Sequence, residues 1–276
     1  MKKGLMLILS IFMISSSIFS VGAVETTGTA NTGVCDNDLE ELLTEEEQKE
    51  AKAKIQETID SIEPKSQLKN ENEIIPYAAY VDHKYMISVT NYTQETSYYC
   101  GPAAVRQTLS FHKSKNNIST ALPSQKTLAS AIGTTTSGST STGIAAGLNK
   151  YKTTYKIPTS YVATDVLDKS KPASFFVQAI KSSVSKQVAA PIILIDTGNN
   201  FGIPEYKGVH IRHYNTISGL IETENIQNGE IAARKIRRVD PHYNSKYRGV
   251  FTNDYRDVYQ AVEQADKNGS NKVIIY

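Results

Sequence analysis

The chain has 276 residues, 21% of them charged, and a net charge of +2. Only two cysteines in this length exclude a disulfide-framework protein, and the chain is long enough for one well-buried domain. The charge is uneven: 14 acidic and 7 basic residues precede Pro76, while 14 acidic and 23 basic follow from it, so a domain of net +9 succeeds an acidic leader. Those basic residues are scattered, apart from ARKIRR at 233–238, which predicts a solvated basic surface and no nucleic-acid partner.

Residues 1–23 read MKKGLMLILSIFMISSSIFSVGA, with Lys2 and Lys3 ahead of a short apolar core and a small-residue site at Val21-Gly22-Ala23. This is the pattern of a secretory signal peptide, too short in its apolar core for a membrane anchor. The mature chain is therefore expected to be secreted, extracellular or cell-wall associated, with no transmembrane segment. Val34 before Cys35 speaks against a lipid anchor there.

Residues 24–75 form the acidic leader. After a small, polar stretch, Leu39, Leu42, Leu43, Ile55, Ile59 and Ile62 recur at helical spacing, with Asp38 as a candidate cap and Glu63-Pro64 as the stop. Such a helix cannot bury its apolar stripe alone. It is either an extension packed on the domain or an intramolecular propeptide that covers a site until cleaved.

The domain, 76–276, follows a polar linker. YMISVTNY from Tyr85 predicts a strand, the residues after Cys100 a helix, and Leu128 to Ile132 a short helix. Residues 133–143 read as a flexible Ser/Thr/Gly loop. GIAAGLNKY and SFFVQAIKSSVSKQ predict helices, and APIILID a buried strand. HIRHYNTISGLIE and IAARKIRRVD predict two strands joined by a long turn from Glu222 to Glu230, DYRDVYQAVEQADKN a closing helix, and KVIIY a short strand. Helices come first and strands dominate later, an α+β pattern.

Cys100 stands immediately before Gly101-Pro102 and a helical run. A helix start presents unpaired backbone N–H groups and the positive end of the dipole, which favour a thiolate. The bland alternative is a small buried cysteine. A thiolate nucleophile needs an imidazole as partner and proton donor. Among the five histidines, His112 lies at the far end of the cysteine's own helix, whereas His213 opens the alternating run HYNTISG. His213 is the predicted base, with His210 as the fallback. Asp240, ending the next strand in RRVDPHY, can lie beside the start of the His213 strand in an antiparallel pair and orient the imidazole. Gln94, six residues before Cys100, is a candidate oxyanion donor beside the Cys100 N–H.

Taken together, Gln94, YYCGPAAVRQTL, HYNTISG and VDP resemble the papain-like cysteine peptidases, in particular the stand-alone relatives of the double-glycine leader peptidases of bacteriocin export. The resemblance spans roughly Tyr85 to Tyr243. It implies a helical lobe carrying the nucleophile and an antiparallel sheet lobe carrying His and Asp. It further implies roles for Cys100 as nucleophile, His213 as base and acid, Asp240 as orienting residue and Gln94 as oxyanion donor. The expected activity is a secreted cysteine peptidase made as a zymogen, acting on a peptide or protein substrate without metal or organic cofactor. Two alternatives stand beside it: another thiol amide hydrolase or transpeptidase acting on the cell wall, and a non-catalytic secreted binding module on the same fold.

Overall fold

The computed structural model describes residues 43–62, 79–198, 202–268 and 272–276. The expected signal peptide, residues 24–42 of the leader with the candidate cap Asp38, and all of 63–78 lie outside the described residues. In chain order the elements are α1 (Glu45–Asp60), β1 (Tyr80–Met86), α2 (Cys100–Lys115), α3 (Gln125–Ile132), α4 (Ser141–Asn149), α5 (Lys152–Tyr155) and β2 (Ala163–Thr164). They continue with α6 (Phe175–Ser185), β3 (Ile192–Asp196), β4 (Arg212–Asn225), β5 (Glu230–Asp240), β6 (Gly249–Asp254), α7 (Tyr255–Lys267) and β7 (Ile274–Ile275). Helix and antiparallel sheet are mixed, as the α+β pattern predicts.

The long strand β4 organises the sheet. The strand order is β2-β7-β3-β4-β5-β6, and β1 also pairs with β4. The first half of β4 lies against β3, from Asp196↔Arg212 to Ile192↔Thr216, and its second half lies against β1, from Met86↔Gly219 to Tyr80↔Asn225. Strand β3, Ile-Ile-Leu-Ile-Asp, is buried at every position, as a continuous apolar run requires. By contrast β1 is mostly exposed.

Helix α2 is the central helix. It is buried from Cys100 through Val105 and from Gln107 through His112, packs against α3, α4 and β4, and is tied to the sheet where Thr216 Oγ1 donates to Ala104 O at 3.3 Å. Local chemistry sets the helix ends. Ser124 caps α3 by accepting from Thr127 N, and Gly133 closes it at φ 70°, where a side chain would be strained. Thr140 caps α4 by accepting from Gly143 N at 3.0 Å, and Asp254 caps α7 by accepting from Arg256 N at 2.8 Å.

Helix α1 begins with a Thr44–Glu47 capping box. It docks on the domain as its amphipathic pattern demands. Lys54 Nζ donates to Tyr276 O at 2.7 Å and Ser160 O at 3.0 Å, and Thr58 and Tyr276 share a hydroxyl hydrogen bond at 3.1 Å. Tyr161, next to Ser160, bonds His112 near the end of α2. Since His112 lies about 18 Å along the helix from Cys100 at 1.5 Å per residue, α1 sits at the end of α2 opposite Cys100.

Several boundaries differ from expectation. The strand expected from Tyr85 onward runs instead from Tyr80 to Met86, and Ile87 to Tyr99 is irregular. The long turn between the His213 and Asp240 strands is only residues 226–229, closed by Gly229 at φ 71° and the bond Gly229 N to Asn225 O at 2.8 Å. Residues 133–143 are not an open loop: Thr135 and Gly138 bridge, Ser139 is fully buried, and Ser141 already belongs to α4.

Ser139 buries itself against the start of α2. A Cβ on Gly101 would lie 2.3 Å from Ser139 Oγ and 2.7 Å from its Cβ. Overpacking of this kind typically costs about 1–3 kcal/mol. Gly101→Ala is therefore expected to lower stability by about that much in urea denaturation, and Gly101→Ala/Ser139→Gly to recover part of it; equal loss in both variants would show that another contact sets the cost.

Candidate active site

Cys100 is the first residue of α2 and is fully buried as a thiol. Pro102 falls at the third helical position, where the missing N–H still costs no intrahelical bond. Tyr99, at the N-cap, makes no side-chain hydrogen bond to the helix end. The dipole's positive end and the first-turn N–H groups therefore act at the cysteine, which is the electrostatic setting of a reactive thiolate.

His213 lies one residue into β4, opposite Ile195 of β3, and is 1% exposed. It hydrogen bonds Cys100 on one side and Asp240 on the other, with Nε2 3.0 Å from Asp240 Oδ1. Nε2 is thus engaged by the carboxylate, which leaves Nδ1 as the nitrogen for the thiol.

The strand register brings Asp240 there. Thr216 pairs with Val239, and one step further along this register puts Asp240 opposite Asn215. Asp240 and His213 are then diagonal neighbours on one face, within reach of a carboxylate and an imidazole. Two bulges lie between the turn and the site. Ala232 is an extra residue on β5 between Thr223 and Glu224, and Ser218 an extra residue on β4 between Ile217 and Gly219. One adds a residue to each strand, so they cancel, and the register at the site equals the one set at the turn.

Asp240 is fully buried and accepts four hydrogen bonds. His213 Nε2 and the His242 backbone N–H reach Oδ1, both at 3.0 Å; the Tyr206 hydroxyl and Arg238 Nη1 reach Oδ2, both at 2.7 Å. Burial pushes the carboxyl pKa up, but the charge and hydrogen bond of His213, with Arg238 and Tyr206 behind, bring it from 3.8 down to about 2. For His213, burial pushes the pKa down; the charge and hydrogen bond of Asp240, then those of Cys100, outweigh it and raise the value from 6.5 to about 9. The pair is therefore held as carboxylate and imidazolium.

The structure thus brings Cys100, His213 and Asp240 into one hydrogen-bonded chain. Gln94 is drawn to the same place by its backbone N–H, which donates to Pro241 O at 2.7 Å. Its side-chain amide turns to the backbone before the helix, Nε2 donating to Thr96 O at 2.8 Å and Ser97 O at 3.0 Å. The fallback His210 is half-exposed and pairs instead with Asp196 at 2.7 Å. His112 bonds Tyr161 far from the site.

Other residues around Asp240 were not singled out by sequence. His242 packs beside His213 at 5.4 Å between ring centroids. Its Nδ1 accepts from Asn244 N, and burial with the neighbouring His213 charge lowers its pKa to about 4, so this ring stays neutral. Tyr206, from a 3-10 turn at Pro204–Tyr206, stacks on Tyr247 at 4.9 Å. Arg238 could have been found from the spacing Arg-Val-Asp, because residues two apart on a strand share a face.

A buried thiol, imidazole and carboxylate in sequence, on an α+β frame, have the chemistry that thiol-dependent acyl transfer requires. A comparison with known families gives the more particular assignment. The profile described as Peptidase_C39 like family matches residues 86–267, and the chain belongs to that family. Membership supports a peptidase of cysteine type, with a peptide as substrate. A comparison with curated proteins finds no match.

The charged pair makes stability depend on pH. His213 has a folded pKa above its ordinary 6.5, so its contribution is fully present below 6.5 and is lost as pH rises through about 9. Asp240 has a depressed pKa, so its contribution is present above 3.8 and is lost as pH falls through about 2. In a Cys100→Ser background, where Asp240 alone keeps the sign, the stability advantage of His213 over His213→Gln should shrink by on the order of 1–3 kcal/mol as pH rises from 6.5 to 9. A constant advantage across that window, in denaturant titrations, would show that His213 is not held as a cation.

Proposed function

We propose that the protein is a secreted cysteine peptidase with a papain-like division of labour, α2 supplying the nucleophile and β4 and β5 supplying the base and its orienting carboxylate. The observation that carries this reading is the buried hydrogen-bonded chain from Cys100 through His213 to Asp240. The 1–23 sequence supports export, and family membership supports peptide-bond cleavage.

In this mechanism the Cys100 thiolate attacks the peptide carbonyl carbon. The carbonyl oxygen becomes an oxyanion held by the Cys100 N–H and by Gln94, whose amide must turn one hydrogen from the Thr96 or Ser97 carbonyl toward it. The His213 imidazolium gives its proton to the departing amine as the C–N bond breaks, leaving a thioester. Water then attacks the thioester. His213 accepts its proton, the C–S bond breaks with the sulfur leaving as thiolate beside the new imidazolium, and the acid is released. Asp240 keeps the imidazole in the tautomer and orientation both steps need.

Residues 24–75 complete the proposal as the leader of a zymogen. Its helix α1 docks at the Tyr276 end of α2, so this part of the leader braces the fold at the end opposite Cys100.

The test is alkylation of the protein by iodoacetamide across pH, with the labelled residue located by mass spectrometry, followed by a screen of peptide substrates. Cys100 should react rapidly well below pH ~8, His213→Ala should lose that rate, and Cys100→Ser should abolish peptide cleavage. Ordinary thiol reactivity in the parent protein, or activity that survives Cys100→Ser, would remove the catalytic reading and favour a binding module.

A further inference from the structure

Behind the site lies a second set of buried charges that the mechanism does not use. Arg238 is fully buried on β5, two residues before Asp240. Each part of its guanidinium is engaged. Nε donates to Asn253 Oδ1 of β6 at 2.8 Å, Nη1 to Asn215 Oδ1 of β4 at 2.9 Å and to Asp240 Oδ2 at 2.7 Å, and Nη2 to Glu205 Oε2 at 2.6 Å. Its plane lies over the Phe251 ring at 4.8 Å and the Tyr206 ring at 5.7 Å. Glu205 also accepts from Asn253 Nδ2 at 3.1 Å.

We propose that Arg238 is a positioning residue for the reaction: with Glu205 as its counter-charge, it grips Asp240 Oδ2 so that Oδ1 stays turned to His213. This rests on the peptidase reading above. The geometry favours it over a purely structural role for two reasons. Arg238 and Tyr206 hold one carboxylate oxygen while His213 uses the other, so the grip fixes the direction of the catalytic hydrogen bond. And a lone guanidinium beside Asp240 would draw the carboxylate's field away from His213; Glu205 on the far side of the guanidinium offsets that pull. A planar fork that meets two carboxylates at once is what arginine offers and lysine does not.

Charged and titratable groups face this cluster from every packed element. Cys100 comes from α2, His213 from β4, His242 from the segment after β5, Tyr206 and Glu205 from the 3-10 turn, and Asp257 from α7, whose carboxyl is raised first by burial and then by Asp254 and Glu205. Removing Arg238 leaves Asp240 and Glu205 as two carboxylates with no cation between them, and like charges so placed resist joint ionisation. Removing Glu205 leaves the guanidinium's charge unshared, and the His213 cation is then less favoured.

The single variants should therefore move the pH profile in opposite directions. The profile of Cys100 alkylation by iodoacetamide is measured for the full chain, Arg238→Met, Glu205→Gln and the double variant, alongside peptide cleavage and thermal melts. Arg238→Met should raise the acid limb of both profiles by about one pH unit or more, Glu205→Gln should lower the alkaline limb of the cleavage profile, and the double variant should return both toward the parent. Arg238→Lys should restore the charge but not the bridge between the two carboxylates, lowering kcat with the limbs near their parent positions. If Arg238→Met fails to fold, the Glu205→Gln shift and its cancellation in the double variant decide the matter. Limbs that stay in place in every variant, with only melting temperature changed, overturn the positioning role while the peptidase reading stands. A parent protein with no His213-dependent alkylation overturns both.

Discussion

A cationic imidazole belongs in a dry interior only if the carboxylate beside it stays ionised. Asp240 meets that condition. It has no exposure of its own, yet a peptide N–H, a phenol, a guanidinium and the imidazole itself converge on its two oxygens. Burial raises the stakes in both directions. The low dielectric that would neutralise a lone acid strengthens each bond to a satisfied one. The charge on His213, and in the proposed mechanism the thiolate character of Cys100, depends on this set of donors.

The fold delivers those groups from independent elements. Helix α2 brings the sulfur with its own dipole, β4 brings the imidazole, β5 the carboxylate and the guanidinium, and the 3-10 turn the phenol. What joins them is the pairing of β4 with β5. The link from Thr216 to Ala104 and the burial of Ser139 against Gly101 fix α2 relative to that pair. Helix α1 reinforces the opposite end of α2, where Lys54 and Thr58 meet the Tyr276 segment.

That Cys100, His213 and Asp240 meet was legible because each stands at an element boundary with a local signature: a helix start before Gly-Pro, the head of an alternating run, and a strand end before proline. Helices α3, α4, α6 and α7 were legible from apolar spacing. The exposed strand β1 was misplaced because its side chains face solvent and carry no burial pattern, whereas the apolar residues from Tyr85 onward suggested a strand that stops at Met86. Strand β6, Gly-Val-Phe-Thr-Asn-Asp, went unnoticed because its three strand-forming residues, Val250 to Thr252, are flanked by Gly249 and by Asn253-Asp254, which read as turn residues. The support behind Asp240 could not be seen, since Glu205 and Arg238 are 33 residues apart and Glu205 lies in a segment without periodicity. For Gln94, its place six residues before Cys100 showed its proximity to the site, but nothing local showed that its amide turns to the Thr96 and Ser97 carbonyls.

The paired bulges at Ser218 and Ala232 also govern how this hairpin tolerates change in length. Each bulge residue is unpaired, so deleting it would leave every remaining pair of the ladder, and Asp240 opposite Asn215, in place on a straighter ribbon. Deleting a paired residue would slide one strand past the other by a single position and turn Asp240 to the far side of the sheet, unless the bulge on the same strand takes up the shift. Length variation in this ribbon is thus buffered at Ser218 and Ala232, and it destroys the site where no bulge absorbs it, however far from Cys100 it falls.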